Sequence, residues 1–225
     1  MKINKIIVGT SGFVKDYGIN KSLGLSKKEI IRTLNQCKLN NLNQLDTAIS
    51  YQHIEKKLGQ VNLKKFIIYN KIPPLPKKCK NISQWLNFRI NKSLKDLNIK
   101  YFEGVLVHNI DDLLTKRGDE IYKFLHNLKK KGFTKKIGIS IYNFTDLLKI
   151  IKKYKFDIVQ LPLNVFDRRL LFKNYLKKIK EKKIEIHVRS IFLQGLLLKE
   201  NIIMPKYFEK NKTLKNWEQW CLKNK

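Results

Sequence analysis

The feature that most constrains the fold of this chain is a repeated alternation of short apolar runs with longer segments of helical periodicity. The runs are rich in β-branched residues and nearly continuous in apolar character, which is typical of strands covered on both faces. Seven of them are found, at residues 6–10, 44–48, 66–72, 102–108, 136–141, 158–163 and 184–191. This β-α alternation predicts a parallel sheet with right-handed crossovers.

Helices are predicted between these runs from periodicity and from capping signals. Ser26-Lys27-Lys28-Glu29 is a capping-box pattern, and it predicts a helix that continues to about residue 40. Gly132 predicts the end of a helix over residues 119–131, because glycine readily adopts the left-handed conformation that stops helices. Further helices are predicted over residues 83–97, 144–154 and 169–182, with a short one around Trp217 and Trp220.

A parallel α/β chain either closes as a barrel or lies open as a doubly wound sheet. The open form is disfavoured because Gly9-Thr10-Ser11-Gly12 lacks the G-x-G-x-x-G spacing of dinucleotide-binding sheets. No linker or low-complexity tract divides the chain, so residues 1–225 are predicted to form a single domain. We expect a parallel (β/α)8 TIM-type barrel that is incomplete, with about seven β-α units, and short at its C-terminus.

The net charge of +30 would ordinarily indicate a nucleic-acid or anionic-membrane partner. Here the lysines are spread along the predicted helices and are not interleaved with aromatic residues. Lys, Ile and Asn are abundant and Ala48 is the only alanine, a composition that a bias toward A/T-rich codons would produce. We therefore expect no specific nucleic-acid partner. No apolar stretch is long enough for a membrane span, so no membrane association is expected either.

The cysteines limit the chemistry and the compartment. Cys37, Cys79 and Cys221 are odd in number and contain no C-x-x-C pair, which indicates neither a disulfide framework nor a thiolate zinc site. Reduced thiols indicate a cytoplasmic protein. No metal-ligand spacing is present elsewhere in the sequence, so no metal is expected.

Ionisable residues of three kinds lie at three successive strand ends. Asp46 lies near the end of the second predicted strand, Lys71 near the end of the third, and His108 ends the fourth. The carboxyl ends of the strands form the working face of a β/α barrel. Tyr51 follows Asp46 by five residues. The sequence therefore predicts that these four side chains form one catalytic site.

The four residue types suit the reduction of a carbonyl group, which requires a hydride on carbon and a proton on oxygen. A phenol with a pKa of about 10 is a poor acid near neutral pH, and a neighbouring ammonium lowers that pKa. A carboxylate can hold the ammonium in place, since a buried unpaired lysine tends to lose its proton. A histidine N–H can hydrogen-bond the oxygen on which charge develops.

Several segments of this chain resemble the aldo/keto reductase family. They are Asp46-Thr47-Ala48-Ile49-Ser50-Tyr51, Asn70-Lys71, Val107-His108, Lys136-Ile137-Gly138-Ile139-Ser140 and the opening Gly9-Thr10-Ser11-Gly12-Phe13 with Asp16-Tyr17-Gly18. The resemblance runs in order from the first strand to about residue 200. It implies an NAD(P)H-dependent oxidoreductase that reduces an aldehyde, a ketone or a sugar-like carbonyl.

The resemblance also implies a role for each residue of the site. Tyr51 is the proton donor, Lys71 and Asp46 tune its acidity, and His108 orients the carbonyl. Two further residues, Ser140 and Gln160, match positions that bind the nicotinamide carboxamide. Ser190 matches a position near the cofactor pyrophosphate. The implied cofactor is NADP, with NAD not excluded.

The chain departs from the family pattern at two positions. Ile141 stands where the family often has Asn, and Arg189 stands where an aromatic residue often stacks on the nicotinamide. Arg189 can stack, pair with a phosphate or form a structural ion pair. The segments around Gln160-Leu161-Pro162-Leu163-Asn164 and Arg189-Ser190-Ile191 are similar to a bacterial branch often encoded near sugar-nucleotide and cell-surface glycan genes.

The largest departure is that no eighth strand, with its loop and helix, is identified after residue 198. In the family this unit binds the adenosine end of the cofactor. A seven-stranded barrel would also leave two unpaired edges. Three explanations stay open, namely a truncated chain, a homo-oligomer or partner chain that completes the barrel, and a decayed copy. The alternative function is therefore a non-catalytic or truncated relative that lacks cofactor binding or needs a partner.

Overall fold

Seven parallel strands form one sheet with the strand order β1-β2-β3-β4-β5-β6-β7. The computed structural model describes residues 5–15, 17, 24–51, 53–197 and 210–224. Every neighbouring pair of strands is parallel. The strands are β1 (Val8–Gly9), β2 (Gln44–Asp46), β3 (Ile67–Ile72), β4 (Phe102–Val107), β5 (Thr134–Ser140), β6 (Ile158–Pro162) and β7 (Glu185–Arg189). The predicted parallel sheet is confirmed.

Helices connect the strands, as the alternation predicted. The helices of the described residues are α1 (Lys27–Leu39), α2 (Ile54–Gly59), α3 (Ile82–Leu97), α4 (Asp111–Leu114), α5 (Gly118–Lys130), α6 (Leu147–Lys153), α7 (Tyr175–Glu181) and α8 (Lys212–Lys223). The predicted capping box at the start of α1 is present. The Ser26 hydroxyl accepts from the Glu29 N–H at 3.3 Å, and the Glu29 carboxylate accepts from the Ser26 N–H at 2.8 Å.

Two short helices were not predicted, and one predicted helix is interrupted. Helices α2 and α4 were not predicted, because six and four residues are too few to reveal a helical period. The single helix predicted over residues 169–182 is wrong in its first half. A 3-10 turn at Arg169–Leu171 is separated from α7 by Lys173 and Asn174, whose φ angles of +49° and +59° interrupt a right-handed helix.

Contacts between distant strands show that the sheet curls. The rings of Tyr69 on β3 and His187 on β7 meet edge to face with centroids 4.8 Å apart. Likewise, Gln160 Nε2 on β6 donates to Asp46 Oδ1 on β2 at 3.1 Å. The structure is thus an incomplete TIM-type barrel of about seven β-α units. No eighth strand was predicted after residue 198, and residues 198–209 lie outside the described residues. Asp16 and Gly18 also lie outside them.

The inside and the outside of the curled sheet are packed differently. Tyr69, Leu106 and Ile158 form a small apolar cluster inside the barrel. The larger core lies between the outer face of the sheet and the helices, and it includes Ile139 and Val159. This two-layer packing leaves the carboxyl ends of the strands free to carry polar groups. None of the helices in the described ranges combines the length and apolar character needed to cross a membrane.

Glycine makes room for the large side chains inside the barrel. A Cβ on Gly138 would lie 2.6 Å from the carbonyl oxygen and 2.9 Å from the Cβ of Ile158. A Cβ on Gly104 would lie 2.8 Å from the Tyr69 ring and 2.9 Å from Ile158. Since β5 and β6 are adjacent strands, the backbone clash at Gly138 cannot be relieved by rotating a side chain.

We therefore expect Gly138→Ala to lower the free energy of unfolding by about 1–3 kcal/mol, as overpacking of a core does. The matched control is Gly9→Ala in β1, where an added Cβ meets no atom within 4 Å. Urea denaturation of both variants measures the difference. Equal midpoints for the two variants would contradict this account of the interior.

Candidate active site at the carboxyl ends of the strands

The topology places the predicted site residues at the same end of the sheet. Asp46 is the last residue of β2, Lys71 is the second-last of β3, and His108 follows β4 directly. Tyr51 lies in the loop between β2 and α2. The residues predicted for the cofactor are Ser140 at the end of β5, Gln160 within β6, Arg189 at the end of β7, and Ser190 after it.

A buried ion pair between Lys71 and Asp46 forms the centre of the site. Lys71 Nζ lies 2.6 Å from Asp46 Oδ2 and 2.7 Å from Oδ1, and it also donates to the carbonyl oxygen of Thr47 at 3.0 Å. The lysine is only 1% exposed. Burial lowers the pKa of Lys71, and the Asp46 carboxylate opposes that shift. The ammonium has three donors, and these oxygens can engage all of them.

Asp46 is also held from the far side of the barrel. Gln160 Nε2 donates to Asp46 Oδ1 at 3.1 Å, and Ser140 Oγ donates to Gln160 Oε1 at 3.3 Å. Both Ser140 and Gln160 are buried. Two residues predicted to contact the cofactor therefore share one hydrogen-bonded chain with the ion pair.

Tyr51 lies in a ring of aromatic and charged groups. Its ring centroid is 6.0 Å from that of His108 and 5.5 Å from that of Tyr17, and Lys71 Nζ lies 5.8 Å from it. Burial raises the pKa of Tyr51 above its usual value, and the neighbouring Tyr17 and Asp46 raise it further. The net shift is therefore opposite to the one expected beside an ammonium, because burial is its largest cause.

His108 is neutral at physiological pH. Burial lowers the pKa of His108 to about 4, and the Lys71 ammonium and the Arg189 guanidinium lower it further, while Asp46 opposes them. A neutral imidazole carries one N–H donor and one acceptor nitrogen. His108 can therefore donate a hydrogen bond to an oxygen without carrying a charge of its own.

Arg189 stacks on a residue that the sequence analysis did not identify. Its guanidinium carbon lies 3.7 Å from the ring centroid of Tyr142, which follows β5. Its Nη2 donates to the Ile141 carbonyl at 2.7 Å and its Nη1 to Ser190 Oγ at 3.3 Å. No signal in the sequence joins Arg189 to Tyr142, since Arg189 ends β7 and Tyr142 follows β5.

One polar atom of Arg189, its buried Nε, makes no hydrogen bond within the described residues. Burial lowers the pKa of Arg189. The neighbouring Ser190 is held in the left-handed region at φ +59°, and its carbonyl accepts from Asn164 Nδ2 at 3.1 Å. A cationic group with a free donor at this point is suited to an anionic or π-electron-rich ligand.

We expect Lys71→Met to lower the free energy of unfolding by about 3 kcal/mol, because it leaves the Asp46 carboxylate without its cation. The double variant Asp46→Asn/Lys71→Met should recover part of that loss in a denaturation cycle. The control is Lys149→Met, which removes the exposed Lys149–Asp146 pair and should cost less than about 1 kcal/mol. If the losses in the free energy of unfolding caused by Asp46→Asn and Lys71→Met simply add in the double variant, the two residues are not a coupled pair.

The titration of His108 tests the electrostatics of the site. The midpoint of its ring signals in an NMR pH titration should lie near pH 4, so that only the neutral form exists near pH 7. In Lys71→Met the midpoint should move upward, because the ammonium that disfavours imidazolium is gone. An unchanged midpoint would mean that burial alone sets the ionisation of His108.

Comparison with known proteins gives one family-model match and several structural neighbours. The family model of the aldo/keto reductases matches residues 5–225. A glycerol dehydrogenase from Gluconobacter oxydans superposes with a TM-score of 0.72 at 18% identity, covering 98% of this chain and 75% of that one. The holo form of an aldo-keto reductase from Bacillus halodurans has a TM-score of 0.70 at 20% identity, covering 90% of this chain and 66% of that one.

A third solved structure is an aldo/keto reductase from Klebsiella pneumoniae in complex with NADP and acetate. Its TM-score is 0.66 at 15% identity, with coverage of 95% of this chain and 74% of that one. At such identities the three structures establish the fold alone. This chain spans from 66% to 75% of their lengths. No curated protein matches the sequence. Because the family model extends over nearly the whole chain, this protein belongs to the aldo/keto reductase family.

Proposed function

We propose that this chain is an NAD(P)H-dependent oxidoreductase that reduces an aldehyde, a ketone or a sugar-like carbonyl, with Tyr51 as the proton donor. The observation that carries the proposal is the buried Lys71–Asp46 pair, with Tyr51 and His108 beside it at the carboxyl ends of the strands. A structural ion pair alone would not require a tyrosine and a histidine to converge on the same ammonium. Family membership supports the oxidoreductase class.

In this proposal Tyr51 donates the proton, and Lys71 stabilises the phenolate that forms. The raised pKa keeps the phenol protonated near neutral pH. When negative charge develops on the carbonyl oxygen, the phenol O–H is the acid that can neutralise it. The ammonium, 5.8 Å from the ring centroid, then stabilises the phenolate. Neutral His108 donates a hydrogen bond to the same oxygen and orients it.

The cofactor supplies the hydride when it is bound. Ser140 and Gln160 would hold its carboxamide by exchanging the hydrogen bond that they now make with each other. Arg189, whose Nε has no partner among the described residues, and Ser190 would contact the nicotinamide or the pyrophosphate. We propose NADP as the cofactor, with NAD as the second choice, because the Klebsiella pneumoniae neighbour is a complex with NADP.

The alternative is a relative that does not hold cofactor by itself, or that needs a second copy or a partner chain. The fluorescence titration of NADPH, and separately of NADH, into the 225-residue chain separates the two functions. Saturation at micromolar concentrations, about −8 kcal/mol of binding free energy, supports the reductase. No saturation up to about 1 mM supports the alternative.

We expect Tyr51→Phe to lower kcat at least about 100-fold while the Kd for NADPH stays unchanged, because only the proton donor is lost. The matched control is Tyr101→Phe, since this tyrosine precedes β4 at the opposite end of the barrel and is half exposed. Its kcat should equal that of the unsubstituted chain. If Tyr51→Phe weakens cofactor binding as much as it slows turnover, Tyr51 is a binding residue and not the donor.

A further inference from the structure

A buried polar triangle lies directly behind the candidate site, on the outer face of β3. It consists of Glu55 on α2, Asn70 on β3 and Ser93 on α3. Asn70 Nδ2 donates to Glu55 Oε1 and to Ser93 Oγ, each at 2.8 Å, and Ser93 Oγ donates to the same Glu55 oxygen at 2.6 Å. None of the three side chains hydrogen-bonds the Lys71 ammonium or the Asp46 carboxylate, and the mechanism above uses none of them.

The triangle fixes the orientation of the Asn70 amide. A primary amide has two N–H donors and one carbonyl acceptor. The N–H groups of Asn70 donate to Glu55 Oε1 and Ser93 Oγ, which lie on two different helices. All three side chains are at least 94% buried. Burial raises the pKa of Glu55, and the hydrogen bonds from Ser93 and Asn70 oppose that shift. The carbonyl oxygen of the amide is left to point toward the strand backbone.

That oxygen accepts from the backbone N–H of Lys71 at 2.8 Å. The bond interrupts the ladder between β2 and β3. The Thr47 N–H donates to the Tyr69 carbonyl and the Ile49 N–H to the Lys71 carbonyl, at 2.9 and 3.2 Å. A regular parallel ladder would next use the Thr47 carbonyl to accept from the Lys71 N–H. Here that carbonyl accepts from Lys71 Nζ instead, at 3.0 Å.

We propose that Glu55 and Ser93, acting through Asn70, are positioning residues that place the Lys71 ammonium. The Asn70 side chain satisfies the Lys71 N–H, so the Thr47 carbonyl is available to the ammonium beside Asp46. The effect on Lys71 is independent of any activity, whereas its effect on turnover rests on the proposed function. A triangle that only joins α2 to α3 would change stability without moving Lys71, and this separates the two roles.

The test compares Asn70→Leu with Asn91→Leu, a control for the same substitution at an exposed position of α3. Lys71 is the one buried lysine among the described residues. Its Nζ–H signal should therefore be protected from exchange in protein labelled with 15N-lysine, and Lys71→Met assigns it. In Asn70→Leu we expect the signal to shift and to exchange about tenfold faster, the effect of losing one buried hydrogen bond. Asn91→Leu should leave it unchanged.

Two milder variants keep the test decisive if Asn70→Leu does not fold. Ser93→Ala removes one corner of the triangle and should change the Lys71 signal in the same direction but less. Glu55→Gln keeps an oxygen that accepts from Asn70 and Ser93, and it should retain the Lys71 signal of the unsubstituted chain. If Ser93→Ala leaves the Lys71 signal and its exchange like those of Asn91→Leu, the positioning role is wrong and the triangle only packs two helices.

The rate of turnover is the second measurement of the positioning role. With NADPH and a carbonyl substrate, Asn70→Leu should lower kcat about ten- to 100-fold, as small displacements of catalytic groups do, while the Kd for NADPH stays unchanged. The pH dependence of kcat should also shift, which a loss of packing alone would not cause. If the unsubstituted chain shows no turnover, the proposed function fails, and the Lys71 signal still decides whether the triangle positions the ammonium.

Discussion

The buried ammonium of Lys71 is the constraint on which the rest of the site depends. A charge that is 99% buried requires compensation by a carboxylate and further acceptors, since desolvation costs several kcal/mol per ion. The register supplies both. Asp46 faces Tyr69 across β2 and β3, and Lys71 is two residues further along the same face of β3. The lysine side chain therefore meets the Asp46 carboxylate and the Thr47 carbonyl together.

The charges of the site follow from this pair and from burial. One cation and one carboxylate balance each other at the centre. Burial, assisted by the charges of Lys71 and the partly buried Arg189, keeps His108 neutral, and burial also keeps Tyr51 neutral. In the proposed reaction, both hydrogen-bond donors are thus uncharged when the carbonyl oxygen begins to acquire negative charge. The Lys71 and Arg189 cations, together with these donors, favour that change over a neutral ground state, which is the arrangement expected for electrostatic stabilisation of an oxyanion.

The sequence predicted the sheet from its apolar runs, and it predicted the location of Asp46, Lys71 and His108 because these residues lie at strand ends. Nearly continuous apolar runs located all seven strands, and Asp46, Lys71 and His108 stood out as ionisable groups where such runs finish. Contacts between side chains at the ends of different strands were not predictable, as with Arg189 and Tyr142. The direction of the Tyr51 pKa shift was wrong, because the sequence shows which charges are near a phenol but not how deeply the phenol is buried. The buried triangle was missed because α2 is too short to reveal a period.

The sequence of β3 nevertheless contains a signal for the triangle, since two polar residues, Asn70 and Lys71, are adjacent within a buried strand. Adjacent residues of a strand face opposite sides, so two polar side chains in a row within a buried strand need partners on both sides of the sheet. On β5 and β6 the buried outward-facing residues are apolar, namely Ile137, Ile139, Val159 and Leu161. Apolar contacts tolerate small rearrangements, whereas the directional bonds of Asn70 do not. Thus β3 connects the helical layer to the site by hydrogen bonds as well as by packing.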